Sequence, residues 1–251
     1  MAGRWLRSQV CSGVRAAMVA LKVGIGVGVG SLAAATAFAQ QAQTTGTVER
    51  GATLASTCLG CHGIEGYRNA YPDYAVPRLA GQHAEYLEAA LKEYRSGARD
   101  YPTMHLQALS LSDQDIADVA AYLAGKPLVA TSSASPPEVP QPALVCTSCH
   151  GRDGIGVTPM YPSLAGQHAS YLARAIQEYQ AANRTHGAPT GESEPVHRLN
   201  PIMDGMAASL KPADITAIAD YFSSLKPGLH TESRPYFRWT EKREAAHAES
   251  K

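Results

Sequence analysis

The chain has 251 residues, 45% of them hydrophobic and 18% charged, with 22 Lys and Arg balanced by 22 Asp and Glu. That length suits one or two domains, and that hydrophobic share supports a buried core, which excludes global disorder. A formal charge of zero leaves no electrostatic footprint for nucleic acid.

The first 39 residues stand apart. Arg4, Arg7, Arg15 and Lys22 form a basic head with no acidic residue, and the apolar run Val23–Ala39 follows, ending in Ala37-Phe38-Ala39. This order reads as a secretory signal over 1–39, cleaved after Ala39. The competing reading is a retained anchor. Its run of 17 residues is near the lower limit for a bilayer span and is diluted by glycine. Cleavage removes four cations, so 18 Lys and Arg face 22 Asp and Glu, a charge of −4. It also removes Cys11, leaving Cys58, Cys61, Cys146 and Cys149.

The remainder repeats itself. "RLAGQHAEYLEAALKEYRSGAR" (Arg78–Arg99) returns as "SLAGQHASYLARAIQEYQAANR" (Ser163–Arg184), and Leu111–Pro127 returns as Leu210–Pro227. Between the halves lies "VATSSASPPEVPQP", a Ser- and Pro-rich stretch that resists packing. The organisation expected is a domain at 40–128, a linker at 129–141, a second domain at 142–228 and a charged tail at 229–251. The tail reads as an appendage outside the repeat.

Both halves read as helical. Tyr86, Leu87, Ala90, Leu91 and Tyr94 share one helical face, and Tyr171, Leu172, Ala175, Ile176 and Tyr179 repeat it. Ser112 to Asp115 is a near capping box ahead of the stripe Ile116, Val119, Ala120 and Leu123. Pro212 sits where a first helical turn tolerates proline, ahead of Ile215, Ile218, Ala219 and Phe222. No stretch alternates with period two, so strands are scarce, and Pro and Gly leave long loops between the helices.

Each half carries one Cys-x-x-Cys-His string, "CLGCH" at Cys58–His62 and "CTSCH" at Cys146–His150. A thioredoxin-like disulfide needs a βαβ setting, which is absent. Zinc usually pairs two Cys-x-x-Cys units 15–20 residues apart, and these lie in sister domains. Covalent c-type haem takes this string as its attachment signature. Two thiols three residues apart reach two vinyl groups, and the next residue offers its imidazole to the iron. The opposite face of such an iron takes a methionine thioether in electron-transfer cytochromes. Met104 stands seven residues before Leu111, and Met203 seven before Leu210; no other methionine pair aligns. Met206 competes with Met203, and Met160 reads as a core gap-filler. His83 and His168 read as helix-start residues satisfied by backbone, His105 as a surface residue or one supporting its neighbour Met104 from behind, and Tyr122 and Tyr221 as core.

With these residues in place the chain resembles the di-haem cytochrome c4 family. The likeness covers Gly51–Pro227 through paired Cys-x-x-Cys-His, Leu-Ala-Gly-Gln-His-x-x-Tyr and Met-x6-Leu-x3-Asp motifs. It implies an all-α chain of two tandem class I cytochrome c domains with two covalent haem c groups. Cys58 and Cys61 would bind one haem with His62 and Met104 axial; Cys146 and Cys149 would bind the other with His150 and Met203 axial. It implies a periplasmic carrier, soluble or loosely membrane-associated. Its partners would be a terminal oxidase, a dehydrogenase or the bc1 complex, with no nucleic acid. The alternatives are an electron-transfer subunit of a dehydrogenase complex, and an enzyme of the di-haem peroxidase or thiosulfate-oxidising kind. Three features depart from the family pattern. The second domain has barely a turn before its cysteines, the segment before Met203 is longer than its counterpart, and the charged tail is extra.

Overall fold

A computed structural model of the chain describes residues 45–70, 73–129, 137–185 and 198–233, with backbone alone at 183–185. The leader, most of the linker, most of the insertion before Met203 and the tail beyond 233 lie outside those residues. The described residues are helical, and their only strand-like pairings are isolated bridges.

Domain 1 contains α1 (Val48–His62), α2 (Ala84–Ser96), α3 (Pro102–Leu109) and α4 (Asp113–Ala124). Its core joins Ala55 and Leu59 of α1, Leu87 of α2, and Val119, Ala120, Tyr122 and Leu123 of α4. α1 and α4 touch backbone to backbone at Gly51, where a Cβ would lie 1.9 Å from the Asp118 carbonyl oxygen. Asp118 does the capping that Thr47 does not do for itself. Its carboxylate accepts from Thr47 N at 2.7 Å, Thr47 Oγ1 at 3.1 Å, Arg50 Nη1 at 3.0 Å and Gln114 Nε2 at 2.8 Å. α4 opens on the expected capping box, with Ser112 and Asp115 bonded reciprocally.

Domain 2 contains a 3-10 turn (Gln141–Ala143), α5 (Thr147–His150), α6 (Ala169–Thr185), α7 (Pro201–Ala207) and α8 (Pro212–Ser224). As the sequence indicated, no counterpart of α1 precedes its cysteines among the described residues. The 3-10 turn packs on α8 instead, with Ala143 fully buried among Leu172, Ile218 and Phe222. The methionine segments, read as loop, are the short helices α3 and α7. Each begins with proline at its first position, where the missing N–H costs nothing.

The repeated Gln-His pair belongs to the contact between the domains. Gln82 Nε2 donates to Ser163 O at 2.9 Å while Gln82 Oε1 accepts from Ser163 N at 2.8 Å. Gln167 does the same to Arg78, accepting from its N at 2.9 Å and donating to its O at 2.9 Å. Ser163 and Arg78 are themselves equivalent in the repeat, so the two clamps are mirror readings of one motif. This corrects the expectation for His83. His83 makes no side-chain cap bond; its Nε2 lies 3.3 Å from Ser163 Oγ in the other domain.

The start of the tail also crosses over. Gly228 pairs with Val129 through both backbone bonds, Leu229 N donates to Ala165 O at 2.8 Å, and His230 N donates to Ala80 O at 3.3 Å. Lys126 Nζ meets Glu232 at 2.8 Å, and the Thr231 hydroxyl donates to Glu65. Residues 229–233 are therefore part of the folded body.

Candidate haem centres

Cys58, Cys61 and His62 occupy the last turn of α1. Spacings of three and four put them on one face of the helix. That face, with Met104 of α3, lines a cavity of about 460 Å³. Leu54, Leu87, Leu91, Val119 and Leu123 give it apolar walls. His62 Nδ1 lies 2.8 Å from Pro77 O. A carbonyl only accepts, so Nδ1 carries the hydrogen and Nε2 keeps its lone pair. Burial lowers the His62 pKa, against the opposing pull of that bond, and pushes the Cys58 thiol up. The pocket thus presents a neutral imidazole.

Domain 2 repeats the pattern from a shorter element. Cys146 caps α5, with Cys149 and His150 following within it, and none of Cys58, Cys61, Cys146 and Cys149 is spent in a disulfide. His150 is 7% exposed, and its Nδ1 lies 2.9 Å from Pro162 O. Phe222 meets its ring edge-on at 6.3 Å. Burial again lowers the histidine and raises the Cys146 thiol. On α7, Met203 is half-buried and its N–H is bonded by Asn200 Oδ1 at 3.1 Å, whereas Met206 is 48% exposed. Met160 is 59% exposed and fills no core gap. His105, next to Met104 in sequence, has its Nδ1 2.7 Å from Tyr94 O on α2, and Tyr122 and Tyr221 are buried as expected.

The sequence reading missed a pair of arginines. Arg99 and Arg198, each 5% exposed, face one another across the domains as an antiparallel bridge. Both line the domain 1 cavity. Arg99 pairs with Glu93 at 2.9 Å and lies over Tyr86 and Tyr94 at 5.7 and 5.2 Å. Arg198 pairs with Glu178 at 3.2 Å and lies over Tyr171 and Tyr179 at 5.7 and 5.3 Å. The repeat aligns Arg99 with Arg184, but the insertion shifts the true counterpart to Arg198. The signal was present: Arg99-x-x-Pro-x-Met104 matches Arg198-x-x-Pro-x-Met203.

These residues fit haem. The cavity is an apolar slot with two thiols, an imidazole with a free Nε2 and a thioether on its wall. Arg99 Nε is buried on that wall without a hydrogen-bond partner, a vacancy suited to a propionate.

The comparisons with known proteins agree. The cytochrome c family model matches residues 48–126 and again 143–226. The chain is 33% identical over 197 residues to cytochrome c4 of Pseudomonas aeruginosa, covering 73% of this chain and 91% of that protein. It is 30% identical over 220 residues to a thiosulfate dehydrogenase electron acceptor of Stutzerimonas stutzeri, covering 80% and 93%. The crystal structure of reduced cytochrome c4 from Pseudomonas stutzeri superposes with a TM-score of 0.55, at 30% identity over 74% of this chain and all of that one. The chain belongs to the di-haem cytochrome c4 family, electron-transfer proteins whose two tandem cytochrome c domains each carry a covalently attached haem c.

Proposed function

We propose that this chain is an exported periplasmic electron carrier of a respiratory chain. Cys58 and Cys61 would attach one haem, with His62 and Met104 as the residues that hold its iron; Cys146 and Cys149 would attach the second, with His150 and Met203. The observation that carries this reading is that Cys58, Cys61, His62 and Met104 line one cavity. Bound haem c supplies reversible one-electron exchange at iron. The chain supplies the rest. Pro77 and Pro162 carbonyls hold each imidazole in one tautomer and one orientation. Apolar walls keep water from the ligands. Arg99 offers a buried cation to a propionate, lowering the cost of a carboxylate there. A histidine and a methionine assigned to each centre leave no position for substrate, which favours a carrier over a peroxidase.

The basic, apolar and Ala-x-Ala order of residues 1–39 supports export with cleavage after Ala39. The mature charge of −4 favours basic docking surfaces on a terminal oxidase, a dehydrogenase or the bc1 complex, with salt-dependent rates. A second reading is service to one dedicated dehydrogenase. The relative named as a thiosulfate dehydrogenase electron acceptor favours it. Reduction of the purified protein by each candidate donor in turn separates the two.

The test of the carrier reading is haem stoichiometry and carbon monoxide binding on the exported holoprotein. Two covalent haems per chain and no rapid carbon monoxide binding are expected. Fewer haems, or a readily ligated iron, overturns it.

A further inference from the structure

The domain 1 cavity is not closed by domain 1. Tyr171, Arg174, Ala175 and Glu178 of α6, with Arg198, complete its wall from the other domain. Four of these five have a counterpart in domain 1: Tyr86, Ala90, Glu93 and Arg99. Arg174 has none, because the equivalent position is Ala89. Arg174 Nε donates to Glu178 Oε1 at 2.8 Å, and the other Glu178 oxygen takes Arg198 Nε at 3.2 Å. Glu178 is thus shared by two guanidiniums. Glu93 has alanine where Arg174 would stand. Domain 2 therefore places on the wall of the domain 1 cavity a cation that the repeat does not call for.

We propose that Arg174 is a potential-tuning residue, lent by domain 2 to the haem centre of domain 1, and that it raises that centre's reduction potential relative to a site lacking it. The proposal rests on the reading that Cys58, Cys61, His62 and Met104 hold a haem. The physics is elementary. Reduction adds one negative charge to the centre, and a nearby fixed cation stabilises the form that carries it. The side chain is 31% exposed, so solvent and salt weaken its field without abolishing it. Asp100 and Asp115 also line the cavity and stay unchanged in every variant below, so their charges cancel in the comparison.

The experiment is a spectroelectrochemical titration of the full-length holoprotein and of Arg174→Gln, which removes charge but keeps a hydrogen-bonding side chain, and Arg174→Lys, which keeps the charge. Adding Met104→His to each marks the domain 1 wave, since replacing thioether by imidazole moves it down. In Arg174→Gln the ferric-to-ferrous ratio of the domain 1 centre at fixed potential should rise at least threefold, about 28 mV at 59 mV per tenfold. The domain 2 centre should move less, the shift should shrink at high salt, and Arg174→Lys should restore it. Unmoved waves, or equal movement of both, overturn the proposal while leaving two intact haems. A protein without a haem at Cys58 and Cys61 overturns the underlying site reading, and the proposal with it.

Discussion

Asp118 carries an unusual load for one carboxylate. It is fully buried and takes four hydrogen bonds from the start of α1 and from Gln114. The Thr47 N–H is the main cause holding its pKa below the ordinary carboxylate range, burial opposing it and Gln114 and Arg50 assisting. A depressed folded-state pKa means stability that is present above the unfolded value of about 3.9 and lost as pH falls through the folded value. Asp118→Asn should therefore melt lower than the wild type at neutral pH and show a flatter loss of stability below about pH 4. Melting curves of the holoproteins across pH check this, and parallel acid profiles would refute it. At this scale the sequence was legible wherever covalent or coordination chemistry fixes a spacing, as at Cys58, Cys61 and His62. Met104 and Met203 were readable because they keep step with the last helix of each half. Arg198 was harder to find: it shares Arg-x-x-Pro-x-Met with Arg99, but an insertion broke the longer alignment that would have paired them. The partners of Gln82 and Gln167 lie 81 and 89 residues away, a separation that leaves no periodic trace.

α1 is the element by which the two domains differ most, and its loss is matched residue by residue. The position equivalent to Asp118 is Ala217, so the described residues of domain 2 hold neither such a helix nor the carboxylate that would cap it. Gly51 shows why α1 needs its particular sequence where it does exist. A Cβ there would lie 1.9 Å from the Asp118 carbonyl and 2.8 Å from Tyr122 Cβ, both in the rigid wall of α4. Gly51→Ala should cost about 1–3 kcal/mol through overpacking, despite the better helix propensity of alanine. Urea unfolding of the holoprotein measures it, and a stabilised variant would show that α1 can shift freely on α4. The long helices were legible because an apolar stripe of 12 to 17 residues gives a clear period. α3 and α7, at eight and seven residues, are too short to do so and read as loops.

The whole molecule is held by contacts that belong to neither repeat alone. Besides the two glutamine clamps, Gly228 to Glu232 runs from the end of α8 onto domain 1, beyond the point at which the cytochrome c likeness ends at residue 226. Isolated pairings such as Ala80 with His230 have no repeating pattern, which is why this segment read as an appendage. Leu229 is 2% exposed and its N–H is bonded to Ala165 O, while Glu232 reaches Lys126, 106 residues earlier. A buried leucine contributes about 2 kcal/mol and each backbone bond about 1 kcal/mol, so the segment should stabilise the assembly by several kcal/mol. Two truncations of the holoprotein isolate that effect. A chain ending at Ser233 keeps every contact named here and serves as the reference. A chain ending at Pro227 loses them all and should melt lower, by about 2–4 °C for each kcal/mol in a chain of this size. Its domains, freed of the segment, should also begin to unfold in separate steps, seen as a broadened or split calorimetric transition. If the two truncated proteins melt alike, the glutamine clamps and the arginine bridge suffice to join the domains, and Gly228 to Glu232 merely rests on a surface already formed.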